Sequence, residues 1–97
     1  MKIEFISPSD KELIEAYEYY EDQLIGLGEL FIDEFNTIIN TIVKHPSIWV
    51  KIGRRTRKAL IKRFPYLILY IYENKTIYIT CIAHQHRNPT YYIDRII

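Results

Sequence analysis

The chain holds a single cysteine, Cys81, so no internal disulfide can form and a reducing compartment is expected. It is also poor in the residues that make linkers, with 3 glycines and 4 prolines in 97 residues, and it contains no repeat or low-complexity stretch. No apolar run approaches the roughly 20 residues of a membrane-crossing helix. Nor does the chain open with the basic and then apolar pattern of a secretory signal. A soluble cytosolic protein with no membrane partner is therefore expected. A metal site is not, because His84 and His86 have no cysteine and few carboxylates near them to complete a shell. No other cofactor is expected either.

What is present is enough apolar material for a core, 48% of the residues, in a length that suits one domain spanning 1–97. The formal net charge of +1 conceals a separation. Residues 1–43 carry two basic side chains against ten acidic ones, a balance of −8; residues 44–97 carry eleven against two, a balance of +9. One face is thus expected to meet a polyanion or an acidic protein segment. The plainer alternative is that the two halves attract each other within the fold.

Lys2 to Ile6 reads as a first strand. Ser7 can cap a helix whose first turn takes Pro8 and Asp10. Leu13, Ala16, Tyr17, Tyr20 and Leu24 then recur at three- and four-residue spacing, with Glu12, Glu15, Glu18, Glu21 and Asp22 on the remaining face. Gly26-Leu27-Gly28 breaks this helix. A second, with Phe31, Phe35, Ile38, Ile39 and Ile42 in register, runs to Pro46. The second half alternates with period two. Strands are expected at Arg57–Lys62, Tyr66–Tyr72 and Thr76–Ala83, joined by turns at Phe64-Pro65 and Glu73-Asn74-Lys75. Leu67, Leu69 and Ile71, with Ile77, Ile79, Cys81 and Ala83, make aliphatic faces expected to pack on the helices. Tyr66, Ile68, Tyr70 and Tyr72, with Thr76, Tyr78, Thr80 and Ile82, are expected to form the open side of the sheet. The predicted fold is α+β with order βααβββ, an antiparallel sheet carrying a two-helix hairpin on one face. Cys81 reads as a small core residue and Trp49 as a cover over the helix–sheet boundary.

Two clusters could carry chemistry. The first is basic: Arg54, Arg55, Arg57, Lys58, Lys62 and Arg63. Beside the exposed tyrosines expected at Tyr70, Tyr72 and Tyr78, these cations suit single-stranded nucleic acid or an acidic protein surface. They also suit an edge strand guarded by charge. The second runs from His84 to Arg95 and places His84, His86, Arg87, Tyr91, Tyr92 and Arg95 within twelve residues. A metal-independent ribonuclease could use them: one His or Tyr takes the 2′-hydroxyl proton, another protonates the leaving oxygen, and Arg stabilises the phosphate. The same segment could equally pack its tyrosines on the sheet.

The order of these features resembles the RelE/ParE toxin superfamily along nearly the whole chain. The likeness is carried by Gly26-Leu27-Gly28 with Phe31 and Phe35, by His45-Pro46, and by Arg57 leading into Arg63-Phe64-Pro65-Tyr66-Leu67-Ile68-Leu69-Tyr70. The ending from Ile82 to Arg95 is similar to the family's His-x-x-Arg-x-Pro-x-Tyr-Trp-x-x-Arg close, with Tyr92 where Trp is usual. The resemblance implies a toxin neutralised by a cognate antitoxin, whose complex binds promoter DNA mostly through the antitoxin. ParE-like members inhibit DNA gyrase, and the Phe-Pro-Tyr turn and Arg-x-Pro-x-Tyr-Tyr ending lean to that side. RelE-like members are ribosome-dependent mRNA endonucleases; here Arg57, Arg87, His84, His86 and Tyr91 or Tyr92 would be the catalytic positions. In either case Arg54, Arg55, Lys58, Lys62, Arg63, Tyr70, Tyr72, Tyr78 and Arg95 are expected to meet a partner. Tyr70 and Tyr78 are expected to be covered when antitoxin binds.

Overall fold

The structure, a computed structural model, describes residues 1–97. Strand β1 (Lys2–Phe5) is followed by helices α1 (Ser9–Gln23) and α2 (Leu27–Lys44), and then by β2 (Thr56–Leu60), β3 (Tyr66–Glu73) and β4 (Thr76–His84). Two short 3-10 turns, Pro89–Tyr91 and Ile93–Arg95, close the chain. The strands lie in the order β1-β4-β3-β2. The expected βααβββ order and helical hairpin are present. The sheet, however, is mixed rather than wholly antiparallel, because β1 runs parallel to β4. The two antiparallel pairings of β2 with β3 and β3 with β4 leave β4 running in the direction of β2, and β1 adds to the free edge of β4 in that same direction. No helix is long and apolar enough to cross a membrane.

The hairpin turn follows from two glycines. Gly26 sits at φ +92°, the left-handed region where a side chain strains the backbone. Gly28 lies where a Cβ would come within 2.8 Å of the Tyr17 ring and of its carbonyl oxygen, so the two helices touch there. Glu21, expected on the solvated face of α1, instead accepts hydrogen bonds from the amides of Gly26 (3.0 Å) and Gly28 (3.0 Å). Its carboxylate thereby satisfies the free donors at the positive end of α2. Ser7 is not the cap of α1. The helix begins at Ser9, whose buried hydroxyl donates to the Ile79 carbonyl at 2.8 Å and ties α1 to β4.

The two sheet faces are the reverse of the pattern expected for β3. Ile68 and Tyr70, joined by half-buried Tyr66 and Tyr72, pack under the helices with Phe31, Phe35, Ile38 and Ile42. Leu67 and Leu69 face away, into a second cluster with Cys81, Ala83 and Tyr92. In β4, Ile77 and Ile79 do face the helices, but Cys81 and Ala83 do not. A bulge causes the switch: Leu69 pairs with Cys81 while Tyr70 pairs with Ile79, so Thr80 has no partner residue. One extra residue in a period-two element flips every later side chain. The far face is not open either, since Tyr92, Ile52 and Ile96 cover it. Trp49, as expected, packs at the boundary of the main core.

Candidate functional site

Glu12, on the first turns of α1, is the centre of the C-terminal segment. Its side chain is buried, and one carboxylate oxygen accepts the Ile82 amide at 3.0 Å and Arg95 Nη1 at 2.9 Å. The other accepts Arg95 Nη2 at 2.9 Å and the Tyr91 hydroxyl. Arg95 also donates to the Thr80 carbonyl at 3.0 Å, which fixes the guanidinium against the bulge. This is a two-pronged pairing of a planar guanidinium with a carboxylate, the strong form of a charged hydrogen bond. Hydrogen bonding to Glu12 raises the Arg95 pKa further and also raises that of Tyr91, so neither gives up its proton easily.

Above this pair opens a cleft between α1 and the end of β4. Its polar wall is Glu12, Glu15, His84, Arg87 and Tyr91, and Tyr19 and Tyr66 flank it. The Arg87 guanidinium lies over the Tyr91 ring, 3.7 Å from its centre. The rings of His84 and His86 are 5.3 Å apart, and His84 Nδ1 accepts the His86 amide at 3.1 Å. The sequence-chosen residues His84, His86, Arg87 and Tyr91 are thus brought together. Tyr92 is not among them, being buried in the far-face cluster. Arg57 is not in the cleft: it donates to the carbonyls of Ser47 (3.0 Å) and Trp49 (2.7 Å). Glu12, Glu15, Tyr19 and Tyr66 were missed as site residues. A signal for Glu12 existed, because it stands four residues before buried Ala16 and eight before buried Tyr20, on the inward stripe of α1.

The residues expected to meet a partner are dispersed. Tyr70 is fully buried and donates to the Pro46 carbonyl at 2.7 Å, which corrects the expectation that it lies open until antitoxin binds. Burial pushes its phenol up to about 12. Tyr72 and Tyr78 are half-buried, on opposite faces of the sheet. Arg55 is held by Glu73, with Nε 2.6 Å from the carboxylate, and Arg63 lies 3.6 Å from Glu34. Arg95 is spent on Glu12. Arg54, Lys58 and Lys62 make no ion pair. No cluster of metal-ligating side chains is present.

The model of the family described as the ParE toxin of type II toxin–antitoxin system, parDE, matches residues 3–89. Among solved structures the chain is similar to one from a chromosomal ParDE system of P. aeruginosa. The TM-score is 0.73 at 12% identity, covering 87% of this chain and 95% of that one. It is similar also to the isolated RelE toxin of E. coli, with a TM-score of 0.66 at 14% identity, covering 99% of this chain and 98% of that one. At such identities these two likenesses are likenesses of fold. No curated protein sequence matches the chain.

Proposed function

Because the chain belongs to the ParE toxin family of type II toxin–antitoxin systems, we propose that it acts by binding DNA gyrase and catalyses no reaction of its own. An antitoxin is its partner by family; the complex of the two is proposed to bind promoter DNA mostly through the antitoxin. The observation that carries the non-enzymatic reading is the saturation of Arg95 and Tyr91 by buried Glu12. A ribonuclease needs free cations and a proton acceptor at the scissile phosphate. Here two of the candidate groups already hold a carboxylate, and a second one, Glu15, lines the same cleft. An incoming phosphodiester would face like charge. The cationic residues Arg54, Lys58 and Lys62, with half-buried Tyr72 and Tyr78, are proposed as partner contacts.

One observation favours a second reading, a ribosome-dependent mRNA endonuclease: His84, His86, Arg87 and Tyr91 adjoin on one surface. A single experiment separates the two. The toxin is expressed while gyrase supercoiling and mRNA cleavage at ribosomes are followed together. Loss of supercoiling with intact mRNA is the expected result. Cleaved mRNA with normal supercoiling would overturn the gyrase reading. His84→Ala with His86→Ala is expected to leave growth arrest unchanged.

A further inference from the structure

The two edges of the sheet are finished differently. At the β2 edge the chain after α2 runs back along the strand and occupies its outward groups. The Lys58 amide donates to the Val50 carbonyl at 3.0 Å, and the Ile52 amide to the Thr56 carbonyl at 2.9 Å. At the opposite edge β1 has β4 as its one neighbour. The amides of Lys2 and Ile6 donate inward, to the carbonyls of Lys75 (3.3 Å) and Ile79 (2.8 Å). Backbone groups alternate along a strand, so the amides and carbonyls of Ile3 and Phe5 point away from the sheet. No proline or bulge interrupts β1, and such a row of open groups is a template for another strand.

The side chains of β1 divide with the same period. Ile3 and Phe5 lie on the helix face, 37% and 39% exposed, and Phe5 stacks on Phe35 with ring centres 6.2 Å apart. Beside them a hollow of 310 Å³ opens between the strand and the helices, walled also by Leu13, Ile32 and Ile39. The lining of this hollow carries no charge. Lys2 and Glu4 lie on the other face of the strand, with Lys2 Nζ 2.8 Å from the Glu4 carboxylate. An edge with one apolar face and one face bearing both signs of charge can match a copy of itself.

We propose that β1 pairs with β1 of a second copy of this chain, antiparallel about a two-fold axis at Ile3. Outward groups must meet outward groups, so only odd-numbered residues can stand opposite one another. Charge then selects the register. Setting Ile3 opposite Phe5 brings Glu4 against Glu4, and setting Met1 opposite Ile3 brings Lys2 against Lys2. Setting Phe5 opposite Phe5 places Glu4 against Ile6 and leaves both lysines unmatched. With Ile3 opposite Ile3, Lys2 of each copy meets Glu4 of the other, and the pair is made twice. Each Ile3 amide then donates to the other copy's Ile3 carbonyl, and each Phe5 amide to the other's Met1 carbonyl. Met1, 56% exposed and on the helix face by alternation, stands opposite Phe5 and enters the apolar hollow. This edge shares no residue with the His84–Arg95 cleft, so the inference holds whichever target the toxin has.

The test follows the mass of the purified full chain by sedimentation equilibrium, from about 1 μM to about 1 mM. The wild type is expected to dimerise within that range and to slow hydrogen exchange at the Ile3 and Phe5 amides. Glu4→Lys and Lys2→Glu each set like charges opposite, and each is expected to weaken the dimer at least about ten-fold. Mixing the two variants should restore it, because the lysines of one then face the glutamates of the other. Should a single variant fail to fold, the chain carrying both changes tests the register alone: it should dimerise with itself and not with wild type. A wild type still monomeric at about 1 mM would leave the edge to a strand of another protein and overturn the proposal. Dimers indifferent to the single changes, a mixture that stays monomeric, a doubly changed chain that pairs with wild type, or unslowed exchange at Ile3 and Phe5 would overturn it equally.

Discussion

Glu12 shows how much a single buried charge can decide. A carboxylate removed from water is costly unless its oxygens are filled, and here four donors fill them: the Ile82 amide, both Arg95 nitrogens and the Tyr91 hydroxyl. Glu12→Ala is expected to cost about 3 kcal/mol in urea unfolding, because it strands a partly buried guanidinium. Glu12→Ala combined with Arg95→Met should recover part of that loss, and simple addition of the two single effects would contradict the pairing. Tyr70 gives a prediction in pH. Burial lifts its phenol from 10.0 to about 12, so the folded chain holds the proton more tightly than the unfolded chain does. Its contribution is intact below pH 10 and is lost as the pH rises through 12. Stability followed over that range is expected to fall more steeply in the wild type than in Tyr70→Phe. Tyr20, Tyr66 and Tyr91, which are also raised, keep the variant from becoming flat.

At the scale of elements, the helical hairpin was legible and the sheet faces were not. The Gly26-Leu27-Gly28 break lies at the turn between α1 and α2 because each glycine answers a different local demand, a left-handed φ and a close helix contact. Gly28→Ala is expected to lower stability by about 1–3 kcal/mol, read from the denaturation midpoint, since the Tyr17 carbonyl cannot move away without disturbing α1. An unchanged midpoint would mean that the helices do not meet there. The β4 bulge at Thr80 belongs to the same scale, and no local sequence pattern announces it. Strict alternation from Ile77 to Ala83 predicts one face; the bulge divides those residues between two. Tyrosine adds to the misreading, because its ring suits a core while its hydroxyl reaches a carbonyl at the margin, as Tyr70 does with Pro46.

Across the whole molecule, the C-terminal segment acts as a strap over the far face of the sheet. Tyr92 and Ile96 cover Leu67, Leu69, Cys81 and Ala83. Arg95 binds Glu12 on one side, and on the other the Ile97 carbonyl accepts the amides of Arg55 (2.7 Å) and Thr56 (3.0 Å). Cys81 lies fully enclosed beneath, its thiol pushed up to about 12 by burial. A thiol reagent is therefore expected to label the native chain slowly, and Tyr92→Ala to quicken labelling roughly ten-fold by loosening the strap. Arg87→Ala, which changes the cleft beside Tyr91 and not the cluster that covers Cys81, should leave the rate unchanged.

The sequence by itself determined the hairpin, the strand order along the chain, the charge separation and the family-like ending from His84 to Arg95. These rest on local signals: periodicity, glycine, and residues close together in the chain. Only the tertiary structure decided which strand faces are buried and that β1 runs parallel to β4. It alone joined Glu12 to Tyr91 and Arg95, more than seventy residues away in the chain. It also divided the basic half into cations spent on carbonyls or carboxylates, such as Arg57 and Arg55, and cations without an ion-pair partner, such as Lys58 and Lys62. Pairing over such separations depends on where the folded chain brings charges out of water, which no local pattern encodes.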